Sequence, residues 1–134
     1  MAQAQARRLF DSRQIPGEIF DVLVVEPEAY RHLGTALPKL LRAWQAAHEL
    51  RRRQPDRAIP VMARREGLTP QAFQNTEQGL VYYDLRRQQK LLAPDGALVR
   101  NLRDVQAVQV QLGMVQAGSP RPVVRDAALR EALR

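Results

Sequence analysis

Few residues in this chain of 134 are equipped for covalent chemistry. There is no cysteine, which removes disulfides, thiolate metal sites and cysteine nucleophiles at once. The two histidines, His32 and His48, lack the spacing that sets two imidazoles on one helix face, so no metal site is expected. No Gly-rich phosphate loop, nucleophile elbow or matched carboxylate pair occurs. The chain therefore reads as a protein that is not an enzyme, with no catalytic residue and no cofactor. What remains is binding chemistry. Asp21 is the single polar residue within an apolar run, and an isolated buried carboxylate is costly unless paired. It either receives a cationic or hydroxyl group of a ligand, or lies at the wet end of its element or against an arginine. Arg13 can pair an oxyanion or remain in solvent. Ser12 carries a hydroxyl suited to a turn.

Arginine dominates the rest of the polar surface. The formal charge is +7, a balance that favours anionic partners, such as a small anionic ligand, but says nothing about fold. Arg51-Arg52-Arg53, Arg64-Arg65 and Arg86-Arg87 are the densest groups. They fall on three separate predicted helices without interleaved aromatics, so they read as solvated faces and no nucleic-acid partner is expected. Trp44 and His48 read as packing residues of one helix, and Tyr82-Tyr83 as packing under a loop.

The elements that must position these groups follow from the apolar pattern. Residues 18 to 25 hold Ile19, Phe20, Val22, Leu23, Val24 and Val25 between Pro16-Gly17 and Pro27. That composition predicts a β-strand buried on both faces, with Arg8 to Asp11 as a second, shorter one. Nearly everything after Pro27 predicts helix. A short helix runs from Glu28 to Leu33. The next is capped by Thr35 and runs to about Arg53, with Leu37, Leu40, Leu41, Trp44, Ala47 and His48 as its buried stripe. Pro55 opens another, ended by Gly67, in which Pro60 should bend the helix or delay its start. Thr69 caps the next, with Pro70 as its first residue. Asp84 caps a helix over Leu85 to Leu92, a long helix ends at Gly113, and a last one spans Val124 to Leu133. The fold class is mostly α with one or two β-strands. Three parts are expected: a flexible N-terminus (1–8), one domain (9–117), and a linker with a C-terminal helix (118–134). No run is long and apolar enough to span a membrane. The opening MAQAQARRLFDS has no apolar core of a secretory signal, so the chain as given is expected either to stay in the cytoplasm or to be a piece of something longer.

In this order the motifs resemble one family. DSRQIPGEIFDVLVV from Asp11, an amphipathic helix with an internal Trp, Pro55, then Ala63-Arg64-Arg65-x-Gly67-Leu68-Thr69-Pro70 and a late Gln111-Leu112-Gly113 are similar to one stretch of a known family. It is the C-terminal part of the periplasmic substrate-binding proteins of ABC importers for nitrate, sulfonates, taurine and thiamine precursors. The likeness covers about residues 9 to 116. It implies the closing part of one α/β lobe of a two-lobe binding protein, with 10–17 at the crossover between lobes and 18–25 as a strand of the first lobe. It also implies that the N-terminal half, with most of the ligand cleft and the signal sequence, lies outside this chain. Ser12, Arg13 and Asp21 are the ligand-facing candidates by that likeness. The expected function is a truncated or split component of small-molecule import that does not bind ligand alone. The alternative is an interaction protein that kept the scaffold and lost the ligand. The expected partner is a second copy paired through residues 18–25, or a missing N-terminal lobe.

Overall fold

The structure is a computed structural model and describes residues 7–134; most of the flexible N-terminus expected above lies outside the described residues. The chain is mostly helical, with 58% of it in helices. The helices are α1 (Pro27–His32), α2 (Ala36–Arg53), α3 (Pro55–Arg65), α4 (Pro70–Glu77), α5 (Leu85–Leu91), α6 (Ala97–Gln111) and α7 (Ala127–Ala132). A 3-10 turn at Ser12–Gln14 precedes them.

Their ends are written locally. Thr69 Oγ1 accepts a hydrogen bond from the Ala72 amide at 3.2 Å, and Asp84 Oδ1 accepts one from Arg87 at 2.7 Å. Each satisfies one of the orphan amides of a first turn. Gly67 and Gly113 both take the left-handed conformation, at φ +68°. Behind each, two amides fold back onto the helix: Gly67 to Arg64 and Leu68 to Ala63 after α3, Gly113 to Val110 and Met114 to Gln109 after α6. This is the double bond of a glycine-ended helix. Two expectations fail here. Thr35 is already in helical conformation and its side chain caps nothing. The last helix begins at Ala127 rather than Val124, and the residues before it form no regular element. Of the two outcomes expected of Pro60, a delayed start does not occur, since α3 starts at Pro55.

The core is thin and lies in two places. Leu85 of α5 and Leu129 and Ala132 of α7 form one cluster, joined by the partly buried Leu41, Leu92 and Leu133. Elsewhere α3 packs on α4 and on α2, with Ala58, Ala63 and Phe73 buried. The C-terminal helix thus packs back onto α2 and α5. Trp44, expected in the stripe of α2, is 54% exposed. The buried face of α2 is turned by about one residue from the expected one: Leu37 is buried, Leu41, Gln45 and His48 are half-buried, and Leu40, Trp44 and Ala47 face outward. Gln45, expected to point away, accepts a hydrogen bond from the Leu85 amide at 3.2 Å.

No β-ladder forms among the described residues, which corrects the strand expected over 18–25. Residues 19–26 form no regular element; a ladder needs a neighbour, and Arg8 to Asp11, the only candidate among the described residues, is not paired with them. The segment stays open, with Ile19 68%, Val22 53%, Leu23 63% and Val24 82% exposed. The whole chain shows 11,384 Å² to solvent. A compact monomer of 15.2 kDa would show about 7,100 Å². The difference exceeds what a standard protein interface buries, about 1,600 Å².

Candidate functional site

Ser12 and Arg13 lie in the 3-10 turn and Asp21 in the segment after it, with no hydrogen bond or ion pair joining Asp21 to the other two among the described residues. Asp11 caps the 3-10 turn, accepting from the Arg13 amide at 3.0 Å. The Arg13 guanidinium returns to the same carboxylate, and Arg8 joins at 3.2 Å. The Arg13 side-chain bond pulls the Asp11 pKa down to about 2. Arg13 is thereby engaged inside its own turn. Ser12 is exposed within the turn. Neither of the two best-formed clefts includes any of the three residues.

The open segment begins at a firm anchor. Asn101 of α6 is buried, and its Nδ2 donates to the Glu18 carbonyl and to Glu18 Oε2, both at 2.9 Å. After that point no backbone hydrogen bond to residues 19–25 is made among the described residues. Backbone without hydrogen-bond partners, in a segment of strand length rich in apolar side chains, is open to pairing with an added strand.

A second polar group forms where α2, α4 and the connector to α5 meet. Arg51 of α2 is ion-paired with Glu77 of α4, so one of the arginines expected on a solvated face is held across the fold. Tyr82 donates its hydroxyl proton to Glu77 Oε1 at 2.7 Å. The Arg51 guanidinium lies 5.0 Å from the Tyr82 ring centre, and His48 stacks tilted on the same ring at 5.3 Å. Tyr82 and His48 are half-buried packing residues, as expected. Burial first, then the bond to Glu77, pushes the Tyr82 pKa up to about 12; Asp21 is near enough to add to that shift. None of these pairings was legible beforehand, because Arg51, Glu77 and Tyr82 carry no spacing signal.

The raised Tyr82 pKa gives a pH prediction. The unfolded phenol ionises near 10 and the folded one near 12. Stability is therefore unaffected below pH 10 and falls as pH rises from 10 to about 12. Melting temperatures of the wild type and of Tyr82→Phe across that interval check it. The variant should lose less stability over the window; parallel curves would refute the assignment.

No protein-family model matches the chain, and searches of curated proteins and of solved structures give no match. No described helix is long and apolar enough to cross a membrane.

Proposed function

We propose that this chain is the helical part of a small-molecule-binding unit related to ABC import of small oxyanions, sulfonates or thiamine precursors. On this reading residues 18–25 are handed as a strand to a β-sheet that the chain does not itself contain. The observation behind it is the open segment: rich in exposed apolar side chains and without backbone hydrogen bonds from Ile19 to Val25 among the described residues. The motif order from Asp11 to Gly113 supplies the ligand class. Ser12, Arg13 and Asp21 would face ligand only once the sheet is in place.

The isolated chain is expected to bind nitrate, taurine, bicarbonate and pyrimidines no tighter than about 10 μM, some −7 kcal/mol, because a half-cleft cannot desolvate a small polar ligand. Calorimetry on the chain alone, and on a chimera with the first lobe of such a binding protein fused ahead of it, tests the proposal. The chimera should unfold cooperatively and bind one of the four. A folded chimera that binds none would overturn the import reading. Tight binding by the isolated chain would overturn the incomplete-cleft argument.

A second reading is favoured by the register of the same segment. In an antiparallel pair of two copies centred on Val22, Ile19 faces Val25, Phe20 faces Val24, and Asp21 faces Leu23. No like charges meet between positions 19 and 25, but Glu18 faces Glu26 at each end, so a two-fold dimer would confine its ladder to 19–25. Each copy carries +7, so such a dimer would strengthen with salt.

A further inference from the structure

The outward face of α2 is apolar from end to end. Ala36, Leu40, Ala43, Ala47 and Leu50 recur at alternating steps of four and three residues, with Trp44 beside them. That is the spacing of a seam that packs against another helix. All six side chains are exposed, Leu40 by 51% and Leu50 by 45%. The far side of the helix is already in use: Leu41 joins the α5–α7 cluster and Gln45 bonds to Leu85. So α2 carries two packing faces, and the fold covers one. The open one runs about 27 Å along the helix, as a continuous strip rather than scattered surface residues.

We infer that this face is the interface with a second copy of the chain, the two α2 helices packed antiparallel about a two-fold axis between Ala43 and Trp44. Side-chain size, charge and area all select that occupant. In this register each large side chain meets an alanine of the second copy: Leu40 meets Ala47, Trp44 meets Ala43, and Leu50 meets Ala36. Large against small is how facing helix layers interdigitate, and here one helix supplies both halves, as a two-fold interface requires. A parallel pair would set Leu40 on Leu40, Trp44 on Trp44 and Lys39 beside Lys39.

Each copy carries +7, yet no like charges meet along the antiparallel seam. Lys39 comes level with His48 of the second copy. Of the three arginines that end α2, Arg51 and Arg53 are already ion-paired, with Glu77 and Glu49, so the basic end is largely neutralised. Two such faces bury about 1,000 Å² together, the low end for a specific interface. The dimer is accordingly of micromolar affinity rather than obligate.

The chain has no cysteine, so single introduced cysteines report the register. In the antiparallel pair the two copies of residue 43 are offset by about 1.5 Å along the helix, and those of residue 36 by about 22 Å. A disulfide spans Cα atoms only about 4.4–6.8 Å apart. With copper–phenanthroline as oxidant, Ala43→Cys should give a covalent dimer and Ala36→Cys should not, whereas Ala36→Cys mixed with Leu50→Cys should cross-link. Sedimentation equilibrium should show a dissociation constant of about 10–100 μM, weakened at least about tenfold by Ala43→Arg. That substitution adds two cations at the axis and touches no core residue; if it fails to fold by circular dichroism, the cross-linking pattern still decides. The proposal is overturned if the chain is monomeric at about 1 mM, if Ala36→Cys cross-links as readily as Ala43→Cys, or if a folded Ala43→Arg associates as the wild type does. A monomer that floats with phosphatidylglycerol vesicles also overturns it, in favour of a lipid surface. Making all measurements in the Val22→Pro/Val24→Lys background removes the other candidate interface, so failure here leaves both readings of residues 18–25 standing.

Discussion

Phe73→Ala is expected to cost about 3–5 kcal/mol and to leave the α3–α4 half of the chain unfolded or nearly so. Phe73 is 6% exposed, and with Ala58 and Ala63 it makes up the fully buried apolar surface of those two helices. Two alanines cannot reach into the space a benzyl group vacates, so the cavity stays open. A domain's whole stability is about 5–15 kcal/mol, and this core is small, so the loss takes a large share. Trp44→Ala should cost only about 0.5–1 kcal/mol, because the indole is half in solvent already. Urea unfolding of the two variants checks both, read as shifts in the midpoint at constant slope. A Trp44 cost above that of Phe73 would mean α2 presents its other face to the core.

Val22→Pro/Val24→Lys should weaken assembly through residues 18–25 by about 100-fold, some 2.7 kcal/mol, while leaving the fold of the chain intact. Proline removes a ladder donor and lysine places a charge where an apolar side chain would be covered. Both positions are exposed in the chain alone, so neither substitution disturbs a present contact. Sedimentation equilibrium distinguishes the cases, with the chain alone reporting a two-fold dimer and the chain mixed with a first lobe reporting strand donation. Equal association by wild type and variant in both experiments would remove residues 18–25 as the interface. Unchanged helix content by circular dichroism is the internal control.

The helix ends were readable because their causes lie within a few residues. Thr69 and Pro70, Asp84, Gly67 and Gly113 each act on amides or carbonyls of their own turn. The face of α2 was not readable. Its apolar residues form a stripe wide enough for either edge to be buried, and the choice is made by α7, which packs on it from far along the chain. The strand failed for a related reason. The composition of residues 18–25 favours extended backbone, but a ladder also needs a partner edge, and none is found among the described residues. Of the ligand candidates, Arg13 is held by Asp11 within its own turn, and Asp21 lies near enough to Tyr82 to add to its raised pKa. Gln45, Asn101 and Glu77 carry the long-range polar contacts. An amide or carboxylate in a helix gives no sign in the sequence of whether it bonds to water or to a distant chain segment.

On the strand-donation proposal, Asn101 also sets the order in which residues 18–25 are captured. It clamps the Glu18 carbonyl and carboxylate together, so the segment leaves α6 as a rope made fast at one end. Downstream it runs directly into α1, where the Arg125 guanidinium rests 5.5 Å from the Tyr30 ring centre. A rope fixed at its head has less slack beside the cleat than at mid-span. Pairing then starts most readily next to Glu18 and closes toward Val25 like a zip, each bond shortening the free length left for the next. A detached peptide of the same sequence would have no fast end, and would have to give up backbone freedom worth about 1–2 kcal/mol per residue all along its length at once.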